Sequence, residues 1–407
     1  MDVVRKCAVA TSSTGIVVIL GMLCAFGPLA TDLYLPGFHL LAVSFGVGDD
    51  AIQITLSVFF LGLAIGQAVY GPLIDSFGRR LPLLIGIGLY VGATAFCLAT
   101  SDIRFFTAAR FFQAVGGCAG MVVGRAMVND LFEERESARA QSLLMMVMTI
   151  APIVAPTVGG LILAVASWRF IFVAILFFGL ICGALAFRYL PETLPTDERN
   201  RAGVGTAFAV YWRLLHRPGF LAPTLVGGFA QGSMFAFISG SPFVFIQKFG
   251  VSEQTFGYLF GAIAFGLVMA AQANRMMLSH WSTRTLLAWS LAFNLVAGLV
   301  ALSFSEATNI ASLVVAIWFV IASVAFIGSN SAAIAMTGAG AESGSGSALI
   351  GVLQFGCAFA ASTLVAAFQN GTAYPMTIVI FACGLLASLT WLLGQWLGAT
   401  GASVRGA

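Results

Sequence analysis

Charge is scarce in this chain: only 9% of its 407 residues are Asp, Glu, Lys or Arg. Soluble domains carry roughly 25%, so this chain lacks the means to cover itself against water. Histidine is rarer still, with His39, His216 and His280 alone. No CxxC or CxxH spacing occurs among Cys7, Cys24, Cys97, Cys118, Cys182, Cys357 and Cys383. Neither a metal cluster nor a disulfide framework is suggested, and the cysteines, mostly inside apolar runs, read as small packing residues. There is no cluster of His, Asp and Glu, no nucleophile motif and no polar segment long enough for a catalytic domain, which argues against an enzyme or a receptor. A net charge of +3 gives no evident footing for nucleic acid.

What the chain has in abundance is apolar length, at 59% hydrophobic residues. A helix needs about 20 mostly apolar residues to cross a bilayer. By that criterion the runs predict about twelve spans: 13–37, 51–71, 81–100, 103–126, 138–163 and 168–190, then 219–246, 255–273, 285–304, 309–331, 345–369 and 374–397. Arg5 and Lys6 before the first run resemble a signal peptide, but that run continues to about Pro36 and contains Asp32. It is too long for a cleaved signal and reads as the first span.

The stretch from Pro191 to Pro218 is the one long charged connection. It predicts an all-α, polytopic membrane protein with an N-terminal six-helix bundle (1–190), a linker (191–218) and a C-terminal six-helix bundle (219–407). Parallel repeats of this kind surround a site near mid-membrane. Placing the N-terminus in the cytoplasm leaves only Arg104, Arg169 and Lys248, of the 19 Lys and Arg, on the outside. Arg110 and Arg125 fall within span 4, and the rest, Arg5, Lys6, Arg201 and Arg405 among them, lie inside. The bias sets orientation and an even helix count, with both termini cytoplasmic.

An ionisable group in hydrocarbon costs at least about 2.5–3.5 kcal/mol and marks a functional candidate. The C-terminal half has none within its predicted spans; in the N-terminal half Asp32 and Arg110 stand out, away from the span ends, with Arg125 deeper on the same helix as Arg110. At 1.5 Å per residue, Asp32 and Arg110 both lie roughly 8–10 Å below the outer surface. Burial favours a neutral carboxyl and a neighbouring guanidinium favours a charged one, so a carboxylate subject to both can change protonation with its surroundings. The two side chains read either as a proton-coupling pair or as a static ion pair holding two helices. Arg125 falls at the cytoplasmic rim, near Asp130 and the loop carrying Asp75, and reads as a structural or gating latch.

Gly71-Pro-Leu-Ile-Asp75-Ser-Phe-Gly78-Arg79-Arg80 joins spans 2 and 3. Its glycines permit a tight turn, and its Asp and Arg can clasp helix ends. This segment resembles the loop 2–3 signature of the major facilitator superfamily. Arg110-Phe-Phe-Gln-Ala-Val-Gly116-Gly117 resembles the superfamily's proton-coupling arginine motif, and Ala151-Pro152-Ile-Val-Ala-Pro156-Thr-Val-Gly159-Gly160 resembles its antiporter motif. Thr31-Asp32-Leu-Tyr34-Leu-Pro36, Leu190-Pro-Glu192-Thr-Leu194 and Ser239-Gly240-Ser241-Pro242-Phe243-Val244 resemble the Bcr/CflA group of twelve-helix drug:proton antiporters.

The resemblance implies a monomeric multidrug exporter of the bacterial inner membrane, with the proton gradient as its driving force and no cofactor or metal. Its partners would be a small drug, protons and the lipid bilayer. Asp32 would be the proton and cationic-drug site, and Arg110 its partner. Cys24 and Phe26 stand where some related exporters carry a second acid, which favours small, largely apolar substrates over strongly cationic ones. A facilitator or proton symporter for a small metabolite in the same fold is the alternative.

Gly116, Gly120 and Gly124 on span 4 form a small-residue face suited to close packing. In the fold implied, helices 1, 4, 7 and 10 line the cavity. Among the polar groups Tyr34, Gln67, Gln231, Asn294, Asn330 and Gln354, that selects Tyr34, Gln231 and Asn330 for substrate, together with Phe235. The three histidines fall in loops or the linker and read as solvated or interfacial.

Overall fold

The computed structural model describes residues 13–197, 199 and 204–404. Arg5, Lys6, Cys7, Arg201 and Arg405, counted above, lie outside the described residues. Among the described residues, twelve helices are long and apolar enough to cross a membrane. Spans 1 to 6 are Thr14–Phe45, Asp49–Phe77, Arg80–Ala99, Ile103–Leu131, Glu134–Val165 and Arg169–Tyr189. Spans 7 to 12 are Pro218–Lys248, Glu253–Met277, Thr283–Ser303, Ile310–Ala339, Ser343–Ala367 and Tyr374–Trp396. Between the two sets lies an amphipathic linker helix, Val204–Leu215. No strand occurs among the described residues.

Several helices outrun their apolar windows. Span 10 has 30 residues and so reaches about 45 Å, against a hydrocarbon thickness of about 30 Å. Polar residues end a hydrophobic window, but helical hydrogen bonding continues into the headgroup zone. Asp49 and Asp50 fill the first turn of span 2, where carboxylates suit the positive helix end.

Span 1 is not one helix. It runs as Ser13–Cys24, Phe26–Asp32, a single tight turn over Leu35–Gly37, and Phe38–Phe45. Proline has no N–H to donate four residues back, so Pro28 leaves the Cys24 carbonyl without its helical donor and Pro36 does the same to Asp32. The chain therefore breaks just after Asp32, and Gly37 N–H instead reaches the Tyr34 carbonyl at 2.9 Å.

Spans 1 to 6 pack chiefly on one another, as do spans 7 to 12; the seams between the sets are span 2 on span 11 and span 5 on span 8. Ser57 Oγ donates to Ser362 Oγ across the first seam at 2.8 Å. In the second seam the backbones touch at glycines. A β-carbon on Gly160 would sit 2.6 Å from the Glu253 carbonyl oxygen, one on Gly257 2.7 Å from Thr157 Cα, and one on Gly261 3.0 Å from the Ile153 carbonyl oxygen. These approaches lie toward the arginine-poor face. There Gln247 Nε2 also donates to Asp49 Oδ2 at 2.6 Å and lies 3.2 Å from His39 Nδ1.

Candidate functional site

Where the halves part toward the arginine-rich face, they enclose a cavity of about 240 Å³. Met148 and Thr149 on span 5 line it, one turn inward of the last glycine contact, with Ala264 and Leu267 opposite on span 8. Its walls are apolar and aromatic, with Phe60 and Phe235 packed 4.3 Å apart between ring centroids. The polar side chains at the wall are Thr31, Asp32, Thr149 and Gln231. Among the described residues, Asp32 is thus the one ionisable side chain lining the cavity, and it is only 3% exposed.

Arg110 is fully buried on span 4, but it does not face Asp32 as an ion pair. Neither residue has an oppositely charged partner within 4 Å among the described residues. Arg110 Nη2 donates to the Ala30 carbonyl at 2.8 Å, and Nη1 donates to Gln113 Oε1. The guanidinium carbon stands 4.4 Å from the ring centroids of both Tyr34 and Phe59. Two hydrogen bonds and two ring faces replace the expected carboxylate. The physical reason is the break in span 1: the helix segment ends at Asp32, its last carbonyls lose their N–H partners, and a cation beside a helix carbonyl end is favourable. Arg110 therefore holds the backbone that carries Asp32, while the Asp32 side chain is left to the cavity. Gln113 extends the network, donating through Nε2 to Thr94 Oγ1 at 2.7 Å.

The broken backbone needs room, which span 5 supplies. A β-carbon on Gly159 would lie 2.0 Å from the Leu33 carbonyl oxygen. The adjacent Gly160 admits span 8 of the other half, so this glycine pair seats the span 1 break on one side and the half-to-half seam on the other. Pro152 lines the cavity, and Pro156 is buried in the same helix. On span 4, Gly116 lies against the backbone of Tyr90, Gly120 against the Leu23 carbonyl and Gly124 against Cys24 Sγ.

The substrate residues expected from sequence divide. Asp32, Gln231 and Phe235 line the cavity. Tyr34 does not: it is fully buried, with its hydroxyl 3.3 Å from Thr55 Oγ1 and its ring against Arg110. Asn330 does not either, because its amide donates to Asn274 Oδ1 at 2.8 Å and ties span 10 to span 8. Spans 4 and 10 contribute only Met121 and Ile321, whereas spans 2, 5, 8 and 11 contribute walls that the expected one-four-seven-ten pattern omits. Phe60, Met148 and Phe355 could not have been singled out from sequence, since nothing distinguishes them from lipid-facing apolar residues.

At the arginine-rich face the loop 2–3 segment forms a clasp. Arg79 pairs with Asp75 at 2.6 Å and with Asp130, at the end of span 4, at 3.0 Å. Glu192 accepts the backbone N–H groups of Arg79 and Arg80 at 2.8 and 3.2 Å, capping the start of span 3. Thr193 Oγ1 donates to Asp130 at 2.7 Å, and Arg80 Nη2 to the Phe187 carbonyl at 2.7 Å. Gly78 has φ of 90°, and a β-carbon there would meet Glu192 Oε2 at 2.4 Å, so glycine is required on both counts. Gly71 lies beside Tyr211 of the linker helix, whose hydroxyl donates to the Ala68 carbonyl at 3.3 Å.

Arg125 stands apart from this clasp, contrary to expectation. Its Nη2 lies 3.8 Å from Met148 Sδ and its backbone carbonyl accepts from Gln141. The side chain turns toward span 5 instead of toward Asp130 and Asp75. Replacing Glu192 by alanine should remove the cap and lower stability by about 1–2 kcal/mol. A melting curve in detergent checks this, with Glu133→Ala as control, since Glu133 stands at the N-cap of span 5 but its side chain makes no cap hydrogen bond.

The Major Facilitator Superfamily profile matches residues 18–362. The uncharacterized MFS-type transporter YdgK of Bacillus subtilis is 34% identical over 376 residues, covering 92% of this chain and 93% of that protein. The bicyclomycin resistance protein homolog of Haemophilus influenzae is 30% identical over 381 residues, covering 92% and 94%. The crystal structure of a bacterial homolog of the human lysosomal transporter Spinster, inward-facing and occupied, superposes with a TM-score of 0.71 at 14% identity, covering 93% of this chain and 96% of that one. With twelve spans in this arrangement and that extent of similarity, the chain belongs to the Major Facilitator Superfamily.

Proposed function

We propose that the chain is a proton-coupled antiporter that exports small, largely apolar drugs from the cytoplasm. The observation that carries this reading is a single carboxylate, Asp32, at the wall of a largely apolar cavity between the two halves. Such a cavity, with few hydrogen-bonding groups, suits uncharged or weakly polar molecules. The similarity to the bicyclomycin resistance protein homolog of Haemophilus influenzae supports the same substrate class.

In this reading the arginine-rich face is cytoplasmic, both termini lie there, and the protein works as a monomer in the bacterial inner membrane without cofactor or metal. Residues 1–190 and 219–407 rock as units joined by 191–218. With the span 5–8 seam closed at the outer end, substrate enters from the cytoplasmic side. Opening of that seam exposes Asp32 outward, where a proton neutralises it and the drug leaves. Closure returns the proton inward. Arg110 acts as a positioning residue, holding the carbonyl end of the span 1 break. Arg79, Asp75, Asp130, Arg80 and Gly78 keep the cytoplasmic ends of spans 2, 3 and 4 in register during the swing.

The test is an efflux and resistance panel in a host lacking its own pumps, with and without a protonophore. Export that stops when the gradient is dissipated supports the antiporter. Uptake lost under the same treatment would establish a metabolite symporter, and transport indifferent to it a facilitator. Within the cavity, Gln231→Ala should raise KM about fivefold, the worth of one hydrogen bond. Asn330→Ala should leave KM unchanged and lower thermal stability instead, because its amide is committed to Asn274.

A further inference from the structure

A second concavity, of about 600 Å³, lies on the outside of the N-terminal half. Its walls are span 1 from Thr14 to Leu29 and span 5 from Glu136 to Val147, with Phe178 of span 6. At 1.5 Å per residue the span 1 wall is roughly 22 Å long. One leaflet of a bilayer, headgroup included, is about that thick. The groove starts at the arginine-rich face and ends near mid-membrane, so it matches a single leaflet in both length and position. Val18, Leu143 and Met146 are exposed along it.

The headgroup end carries two opposite charges. Glu136 and Arg139, three residues apart on span 5, both line the groove and both are exposed. Residues at that spacing share a helix face, yet these two do not pair with each other, and neither has another ionic partner within 4 Å among the described residues. An acid and a base left side by side at headgroup depth complement a zwitterion. Arg139 suits a phosphate, and Glu136 suits an ammonium that can donate hydrogen bonds. A phosphoglycerol headgroup has no cation for Glu136, and a quaternary ammonium has no N–H.

We propose that this groove is a binding site for one phospholipid with a primary-amine headgroup, of the phosphatidylethanolamine class, drawn from the leaflet on the arginine-rich face. Its acyl chain lies between spans 1 and 5 while Arg139 and Glu136 hold its headgroup. Val147 and Leu29 on this groove neighbour Met148 and Pro28 on the central cavity, so the bound chain backs the wall that positions Asp32. The site does not depend on what the cavity transports.

The test is native mass spectrometry of the purified full chain with phosphatidylethanolamine, phosphatidylcholine and phosphatidylglycerol of identical acyl chains. One ethanolamine lipid should be retained about tenfold over its choline analogue, the worth of one hydrogen bond to a charged group. Glu136→Gln should erase that preference while leaving choline lipid binding in place. Arg139→Gln should weaken all three lipids, and Met146→Trp, which fills the groove, should displace the lipid. Equal retention of the ethanolamine and choline lipids by the parent protein, or an unchanged preference in Glu136→Gln, would overturn the proposal.

Discussion

Asp32→Asn is expected to reduce the drug gradient that energised cells sustain from a few hundred-fold to none. The magnitude follows from one proton per cycle. An elementary charge is worth about 2.3 kcal/mol per 100 mV, and a pH unit adds about 1.4. Their sum is a factor of a few hundred in concentration. Asparagine keeps the shape and polarity of the cavity wall but carries no ionisable proton, so the fold and downhill movement of drug should survive. Accumulation of a fluorescent substrate in inverted vesicles, with expression checked by melting temperature, provides the measurement. A variant that still concentrates drug at the parent level would remove Asp32 from the coupling.

The second large effect concerns Arg110. Arg110→Met should abolish transport while leaving the melting temperature within a few degrees of the parent, or above it. A fully buried guanidinium with no carboxylate within 4 Å and an unpartnered Nε is an expensive way to hold two helices together. Replacing buried charge with an apolar side chain of similar length is often neutral or stabilising. Methionine keeps the contact with Tyr34 and Phe59 but cannot hold the Ala30 carbonyl, which frees the end of the break that carries Asp32. Arg110→Lys should restore little transport, since a point charge cannot bridge Ala30 and Gln113 as the planar fork does. A methionine variant that fails to fold would make Arg110 a structural tie instead, and one that transports normally would leave it no part in positioning.

Much of this architecture was legible because the physics is one-dimensional. An apolar run of about 20 residues spans the bilayer whatever surrounds it. Depth was legible for the same reason: counting along spans 1 and 4 brought Asp32 and Arg110 to one level. What counting does not supply is azimuth. A rotation of about 100° per residue separates a side chain in the cavity from one aimed at a neighbour, and the proline break in span 1 resets that rotation. Hence Asp32 reaches the cavity while Tyr34, two residues on, packs against Arg110. Asn330 likewise reads as a free polar group until Asn274, 56 positions away in sequence, is found opposite it. The role of Glu192 was hidden too. The carboxylate caps a helix that begins more than a hundred residues earlier in the chain.

The loop motifs were easier to locate than to interpret. Gly78 and Arg79 sit where the turn demands, but only the fold reveals that Asp130, and not Arg125, completes the clasp. The paired glycines of span 5 show the same limit. Their place in the antiporter-like motif was readable, whereas their two different neighbours, Leu33 and Glu253, were not.

The most direct check is proton release on drug binding, recorded with a pH indicator in weakly buffered detergent solution of the purified protein. Adding a transported drug should liberate protons from the parent protein, because drug and proton compete for the one acid in the cavity, and none from Asp32→Asn that still binds drug. Equal release from both, or none from a parent protein shown to bind the drug, would contradict the account.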